Sequence, residues 1–167
     1  MLKDQKIWAP KKFMGKELHS KTLGIVGLGR IGTIVAERAK GFYMKILVHD
    51  PFISKEHAEK IGVEIVEFSD LLKRSDYISL HTPSLDGKPL LSTKEFNIAK
   101  PGIRIVNCAR GNLIDDDALV EAIKSKQVAQ AALDVYAKEP LDMDSPLLTM
   151  DEIICTPHLG ASTEEAQ

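Results

Sequence analysis

The chain has 167 residues, 44% of them hydrophobic and 28% charged, with a formal net charge of −2. That length suits one domain of ordinary size and leaves no room for a second full one. The apolar share excludes disorder, and the near-neutral charge gives no reason to expect nucleic acid or an anionic membrane as partner.

No apolar run reaches the roughly 18 residues that span a bilayer, and the start MLKDQ has no apolar signal core, so a cytoplasmic location is expected. After a polar opening that contains Trp8 and Phe13, short runs rich in Val and Ile predict strands over 22–26, 45–49, 63–66, 77–81, 103–108, 128–135 and 152–155. Several are almost wholly apolar, as parallel strands covered on both faces are. Between them, amphipathic segments predict helices over 31–40, 54–61, 69–74, 93–99 and 116–126. The last is the clearest, with Leu119, Val120 and Ile123 on one side and acidic residues in its first turn, where the helix dipole favours them. This alternation predicts an α/β protein: a Rossmann-type doubly wound parallel sheet of about seven strands with helices on both faces. Cys108 and Cys155 fall in runs that read as buried strands. Free thiols are therefore expected, and with no CxxC spacing no metal site is.

The stretch GIVGLGRIG (24–32) runs out of the first strand, and its Gly27, Gly29 and Gly32 follow that strand and open the first helix. A G-x-G-x-x-G match alone is weak, but this context assigns each glycine a task. Gly27 makes the tight turn, Gly29 admits a pyrophosphate, and Gly32 lets the helix pack close. The amides of Arg30 and Ile31 would face the phosphates. About 20 residues on, Asp50 ends the next strand, where an acid binds ribose hydroxyls. Asp50 would repel a 2′-phosphate, and Pro51 and Phe52 supply no cation to hold one, so NAD is expected rather than NADP. The competing readings are a purely structural turn, or a methyltransferase binding S-adenosylmethionine. Against the second, the third glycine and Arg30 favour a diphosphate.

Hydride chemistry on an alcohol needs a proton acceptor and a cation for the substrate's polar end, and histidine suits the first task. Of five histidines, His19 and His57 lie in polar surroundings, while His49 and His81 close strands, where packing or a cofactor contact competes with catalysis. His158 follows the last strand directly, at the edge where open α/β sheets bind ligands. From position alone it serves equally as acid/base or as a structural histidine. Arg110, also just after a strand, could grip a carboxylate bidentately or be an ordinary loop arginine. Glu139 gains interest only if it pairs with His158.

Together GLGRIG (27–32), HDP (49–51), NCARG (107–111), LDVYAKEP (133–140) and PHLGAST (157–163) resemble the D-isomer-specific 2-hydroxyacid dehydrogenases, and the likeness extends over about 12–167. The wording of NCARG and PHLGAST is similar to that of the phosphoglycerate branch. The resemblance implies an oxidoreductase using NAD on a small 2-hydroxy acid, in that branch 3-phospho-D-glycerate on the way to serine. It implies Arg110 as the substrate-binding cation, His158 as acid/base and Glu139 as its orienting partner. It also implies cofactor contacts from Thr82, Cys108, Ala109, Arg110, Asp134 near the nicotinamide amide, and His158, Leu159, Gly160 and Ala161.

Three features depart from the family pattern: Tyr43 in place of a common Gly, Asn112 in place of a second Gly, and the loop 85–91. The left-handed tolerance of Asn makes the second a mild change. The organisation implied is a remnant of an interdomain connection over 1–18, an NAD-binding domain over 19–161, and the start of a returning helix over 162–167. The substrate domain would lie outside the chain, turnover by these residues alone would be negligible, and the parent would form a homo-oligomer. Another reductase of the family, such as one acting on glyoxylate or hydroxypyruvate, and a non-catalytic NAD-binding interaction protein are the alternatives.

Overall fold

The apolar runs form the expected strands. A computed structural model describes residues 14–84 and 87–166. Its strands are β1 (Thr22–Val26), β2 (Lys45–His49), β3 (Glu64–Ile65), β4 (Tyr77–Leu80), β5 (Ile103–Asn107), β6 (Val128–Leu133) and β7 (Ile153–Cys155). They make one sheet in the order β3-β2-β1-β4-β5-β6-β7, with every pair parallel. The chain winds outward from β1 in one direction and then from β4 in the other, so the switch point of this doubly wound sheet lies between β1 and β4.

Five helices connect the strands: α1 (Arg30–Gly41), α2 (Lys55–Ile61), α3 (Phe68–Arg74), α4 (Thr93–Ile98) and α5 (Asp116–Lys124). Right-handed crossovers put them on both faces. One apolar cluster joins Ala36 and Ala39 of α1 to Leu23, Ile25, Ile46 and Val48 of the sheet, with Ile61 of α2 packed against it. The larger cluster joins Leu71 and Leu72 of α3, Phe96 of α4 and Leu119 and Ile123 of α5 to Ile78, Ile105 and Ala131. Burying each of the Leu, Ile, Val and Phe side chains contributes about 1.5–3 kcal/mol, so strands covered on both faces anchor the loops at their ends.

Helix starts differ in a way that matters later. Ser54 Oγ accepts from the His57 amide at 3.2 Å, and Asp115 Oδ1 accepts from the Ala118 amide at 3.0 Å, capping α2 and α5. At α1 the N-cap is Gly29, which offers no side-chain cap.

Several expected boundaries shift. The strand expected over 63–66 shrinks to two residues because it pairs only with β2 at the sheet edge. Cys108 falls just past β5 and is exposed, and Cys155, at the last residue of β7, is only partly buried; both are free. Short 3₁₀ turns at Gly111–Leu113 and Pro146–Thr149 were not foreseen. Asn112 lies in the first of these and has no positive φ, so left-handed tolerance is not what suits it there; its amide instead bonds Ser84 Oγ. Residues 162–166 make turns, with the Ala166 amide donating to the Thr163 carbonyl at 3.2 Å, where a helix start was expected. Trp8 and Phe13, and Leu85 and Asp86 of the loop 85–91, lie outside the described residues. Among the described residues no helix is long and apolar enough to cross a membrane.

Tyr43, just after α1, has φ 57° and is 75% exposed. A left-handed conformation costs a residue with a Cβ about 1–2 kcal/mol, and among the described residues the Tyr43 ring pairs with His19 at 5.5 Å. Tyr43→Gly is therefore expected to raise the unfolding free energy by about 1 kcal/mol, read from denaturant titration. A fall would show that the aromatic pair outweighs the backbone strain.

Candidate active site and cofactor cleft

Strand register aligns the site. His49, Val26, Leu80, Asn107, Leu133 and Cys155 stand opposite one another in a single row across β2, β1, β4, β5, β6 and β7. The residues that follow this row include Asp50, Gly27, Thr82, Cys108, Arg110, Asp134 and His158, so one edge of the sheet gathers every segment in which a site residue was expected.

At the switch point the glycine turn has the steric form its sequence requires. Gly27 has φ 93°, and a Cβ there would come within 2.7 Å of the His81 carbonyl oxygen; one at Gly32 would overlap the Gly27 carbonyl. Gly29 is different: nothing lies within 4 Å of where its Cβ would be. Protein packing does not require a glycine at that position, whereas a ligand seated against the backbone would. The first amides of α1, including those of Arg30 and Ile31, have no acceptor within the helix, and both residues are exposed next to Gly29. Asp50 Oδ2 accepts from the Leu28 amide at 2.8 Å and Oδ1 from the Phe52 amide at 2.9 Å, which fixes the carboxylate beside the turn with lone pairs to spare. Gly27, Gly29, Asp50, Phe52, His81 and Thr82 line a cleft of about 310 Å³. A dinucleotide fits this set: amides for the pyrophosphate, a carboxylate for ribose hydroxyls, and partly apolar walls for a base.

The two histidines left open here are occupied. His49 Nδ1 lies 3.2 Å from the Val66 carbonyl, and His81 Nε2 lies 2.8 Å from Ser79 Oγ. Burial pushes the His81 ring below its usual pKa, which favours the neutral form. His19 and His57 are exposed.

On the other half of the sheet, buried Asn107 shapes the loop that carries Arg110. Its Oδ1 accepts from the Ala109 amide at 3.0 Å and its Nδ2 donates to the Arg110 carbonyl at 2.9 Å. The Arg110 guanidinium is exposed and donates to the Ala109 carbonyl at 2.6 Å; among the described residues it has no carboxylate partner. The neighbouring Cys108 thiol is held above its usual pKa, first by burial and then by the charge of Asp134.

Nineteen residues apart in sequence, Glu139 and His158 meet: the Nδ1 hydrogen of His158 donates to Glu139 Oε2 at 2.7 Å. Glu139 Oε1 accepts from the Tyr136 amide at 3.0 Å. Its carboxyl lies below the ordinary glutamate range, chiefly through the His158 bond and next through that amide. Arg110, Glu139 and His158 border a common cleft of about 370 Å³. Among the described residues, His158 is the one histidine paired with a carboxylate.

Asp134 was expected to face the nicotinamide amide. In the structure it is buried and its oxygens serve the chain itself, accepting from Thr156 Oγ1 at 2.5 Å, the Leu159 amide at 2.8 Å and the Gly160 amide at 2.7 Å. It thereby shapes the turn in which His158 takes φ 50° and Gly160 φ 25°. Asn107, Tyr136 and Thr156 were not singled out from sequence. An Asn two residues before an amide it can accept from is a recognisable turn signal, and only Asn107 carried one.

The profile described as "D-isomer specific 2-hydroxyacid dehydrogenase, NAD binding domain" matches residues 1–160. The chain belongs to that family. Its D-3-phosphoglycerate dehydrogenase relatives include those of Archaeoglobus fulgidus, 52% identical over 161 residues, and Methanocaldococcus jannaschii, 51% identical over 162. Each alignment covers 96% of this chain but 31% of the relative, so the chain spans about a third of the length of these proteins. Among solved structures, a glyoxylate reductase from Paecilomyes thermophila superposes with a TM-score of 0.85 at 40% identity, covering 92% of this chain and 46% of that one. D-lactate dehydrogenase with NAD+ from Lactobacillus jensenii gives 0.83 at 31% identity, covering 95% and 52%. As a D-2-hydroxyacid dehydrogenase NAD-binding domain, the chain has NAD as its cofactor, in keeping with the open turn and the acid beside it.

For Asp134, burial raises the pKa, but the bonds from Thr156, Leu159 and Gly160 prevail and the net shift is downward. A depressed folded-state pKa gives stability that is present above the unfolded value, about 3.9, and is lost as pH falls through the folded one. Asp134→Asn is therefore expected to cost about 2 kcal/mol at pH 7 and to flatten the loss of stability below pH ~4, measured by denaturant titration at both pH values.

Proposed function

We propose that this chain is the cofactor-binding part of an NAD-dependent dehydrogenase that oxidises 3-phospho-D-glycerate to 3-phosphohydroxypyruvate, completed by a substrate domain beyond these residues. The observation that carries the reading is the His158–Glu139 pair at 2.7 Å, which borders one cleft with Arg110 at the ligand edge of the sheet. The substrate class is supported by relatives at about half identity that are named for it.

In this reading Arg110 holds the substrate's carboxylate, a task suited to an exposed guanidinium that has no acidic partner among the described residues. His158 has its Nδ1 hydrogen committed to Glu139, so Nε2 is the free base that takes the hydroxyl proton. Glu139 keeps the ring in that tautomer and balances the positive charge that the proton brings. Bound NAD supplies the acceptor for the electron pair and hydrogen leaving the carbinol carbon. Gly29, the amides of Arg30 and Ile31, Asp50 and Thr82 hold its adenosine diphosphate end, and Cys108, Ala109, Asp134 and the segment His158, Leu159, Gly160 and Ala161 border its other end. A cytoplasmic parent that self-associates belongs to the same proposal. A second reading, a family reductase for glyoxylate or a similar 2-oxo acid, is favoured by the glyoxylate reductase likeness; substrate profiling of the full-length protein separates the two.

Calorimetric titration of the 167-residue chain tests the cofactor half. NADH is expected to bind saturably and NADPH more weakly. Asp50→Ala should weaken NADH binding about tenfold, the effect of losing a charged hydrogen bond of about 1.5 kcal/mol. Equal affinity for NADH and NADPH would remove Asp50 as the discriminating residue.

A further inference from the structure

Tyr136 touches all three segments that carry the Arg110, Glu139 and His158 side chains. Its amide donates to Glu139 Oε1 at 3.0 Å. Its hydroxyl is shared between the carbonyls of Leu133 at 3.1 Å and Thr156 at 2.8 Å, and Thr156 lies two residues before His158. On its other side, the Tyr136 carbonyl lies so close to Gly111 that a Cβ there would overlap it. Gly111 directly follows Arg110.

A phenol placed only to fill volume would need none of these bonds. This one bridges the ends of β6 and β7 through its oxygen while its own amide grips the carboxylate. Burial, with the Cys155 side chain next, pushes its pKa upward, so the hydroxyl stays a proton donor to the two carbonyls. We propose that Tyr136 is the positioning residue of this centre: its amide and hydroxyl together fix Glu139 against His158, and its contact with Gly111 ties that pair to the Arg110 loop. The proposal rests on the acid/base reading of His158 and Glu139.

The test follows the Glu139 side-chain carboxyl by carbon NMR in the 167-residue chain as pH is lowered. Glu139 titrates below the ordinary glutamate range because of His158 and the Tyr136 amide, with the charge of Asp134 acting in the opposite direction. His158→Gln is expected to move the midpoint up. Tyr136→Phe keeps the ring and removes one oxygen. It should move the Glu139 midpoint most of the way to the His158→Gln value, since a loosened Thr156 carbonyl lets His158 leave its partner. Gly111→Ala, which touches neither Glu139 nor His158, should shift it in the same direction by displacing the Tyr136 peptide. A folded Tyr136→Phe chain with an unchanged midpoint overturns the proposal, even if its melting temperature falls, because a merely structural tyrosine predicts that result. If His158→Gln itself leaves the midpoint unmoved, the pair does not operate, and the acid/base reading fails together with this one.

Discussion

Three donors converge on the carboxylate of Asp134, and the loop that bears His158 has its shape because of them. That loop is not one a chain adopts freely: His158 stands in the left-handed region, at a cost of about 1–2 kcal/mol for a residue with a Cβ. Hydrogen bonds to a charged acceptor, each worth roughly 1.5–3 kcal/mol, more than offset it. The same bonds keep the carboxylate ionised against burial that works the other way. This anchor sets the backbone from which the imidazole reaches Glu139.

The two ends of the ligand edge are built by different means. At the switch point the protein contributes mostly backbone: uncapped amides at the start of α1, a turn forced by Gly27, and open room above Gly29. Across β5, β6 and β7 it contributes side chains held by other side chains, from Asn107 under the Arg110 loop to Glu139 on His158. A backbone cradle suits a cofactor with a uniform diphosphate, while a cluster of oriented side chains suits a reaction that must select one proton and one carboxylate.

This division also explains what could be read from the chain in advance. Gly27 and Gly32 are legible because steric overlap leaves no other residue possible, and the spacing of such positions is local. The strands were legible from short runs rich in Val and Ile, with errors of a residue or two at their ends. At Cys108 such an error decided burial, since one step past β5 puts the thiol at the surface. The Glu139–His158 contact spans a turn, a 3₁₀ segment and a strand, so no local pattern reports it, and only the family resemblance paired the two. Tyr136 and Thr156 were overlooked for a related reason: the bonds that tie them to the site, from the Tyr136 hydroxyl to the Thr156 carbonyl and from Thr156 Oγ1 to Asp134, join segments far apart in sequence.

Cys108 has a consequence for the protein's chemical durability. An exposed thiol just past β5, at the ligand edge of the sheet, invites attack by peroxides, but the thiolate is the species that reacts. Partial burial, and after it the negative charge of Asp134, push the Cys108 thiol above its usual pKa. Both effects disfavour the thiolate, so the carboxylate that shapes the His158 loop is the lesser of two influences that lower the reactivity of the neighbouring sulfur.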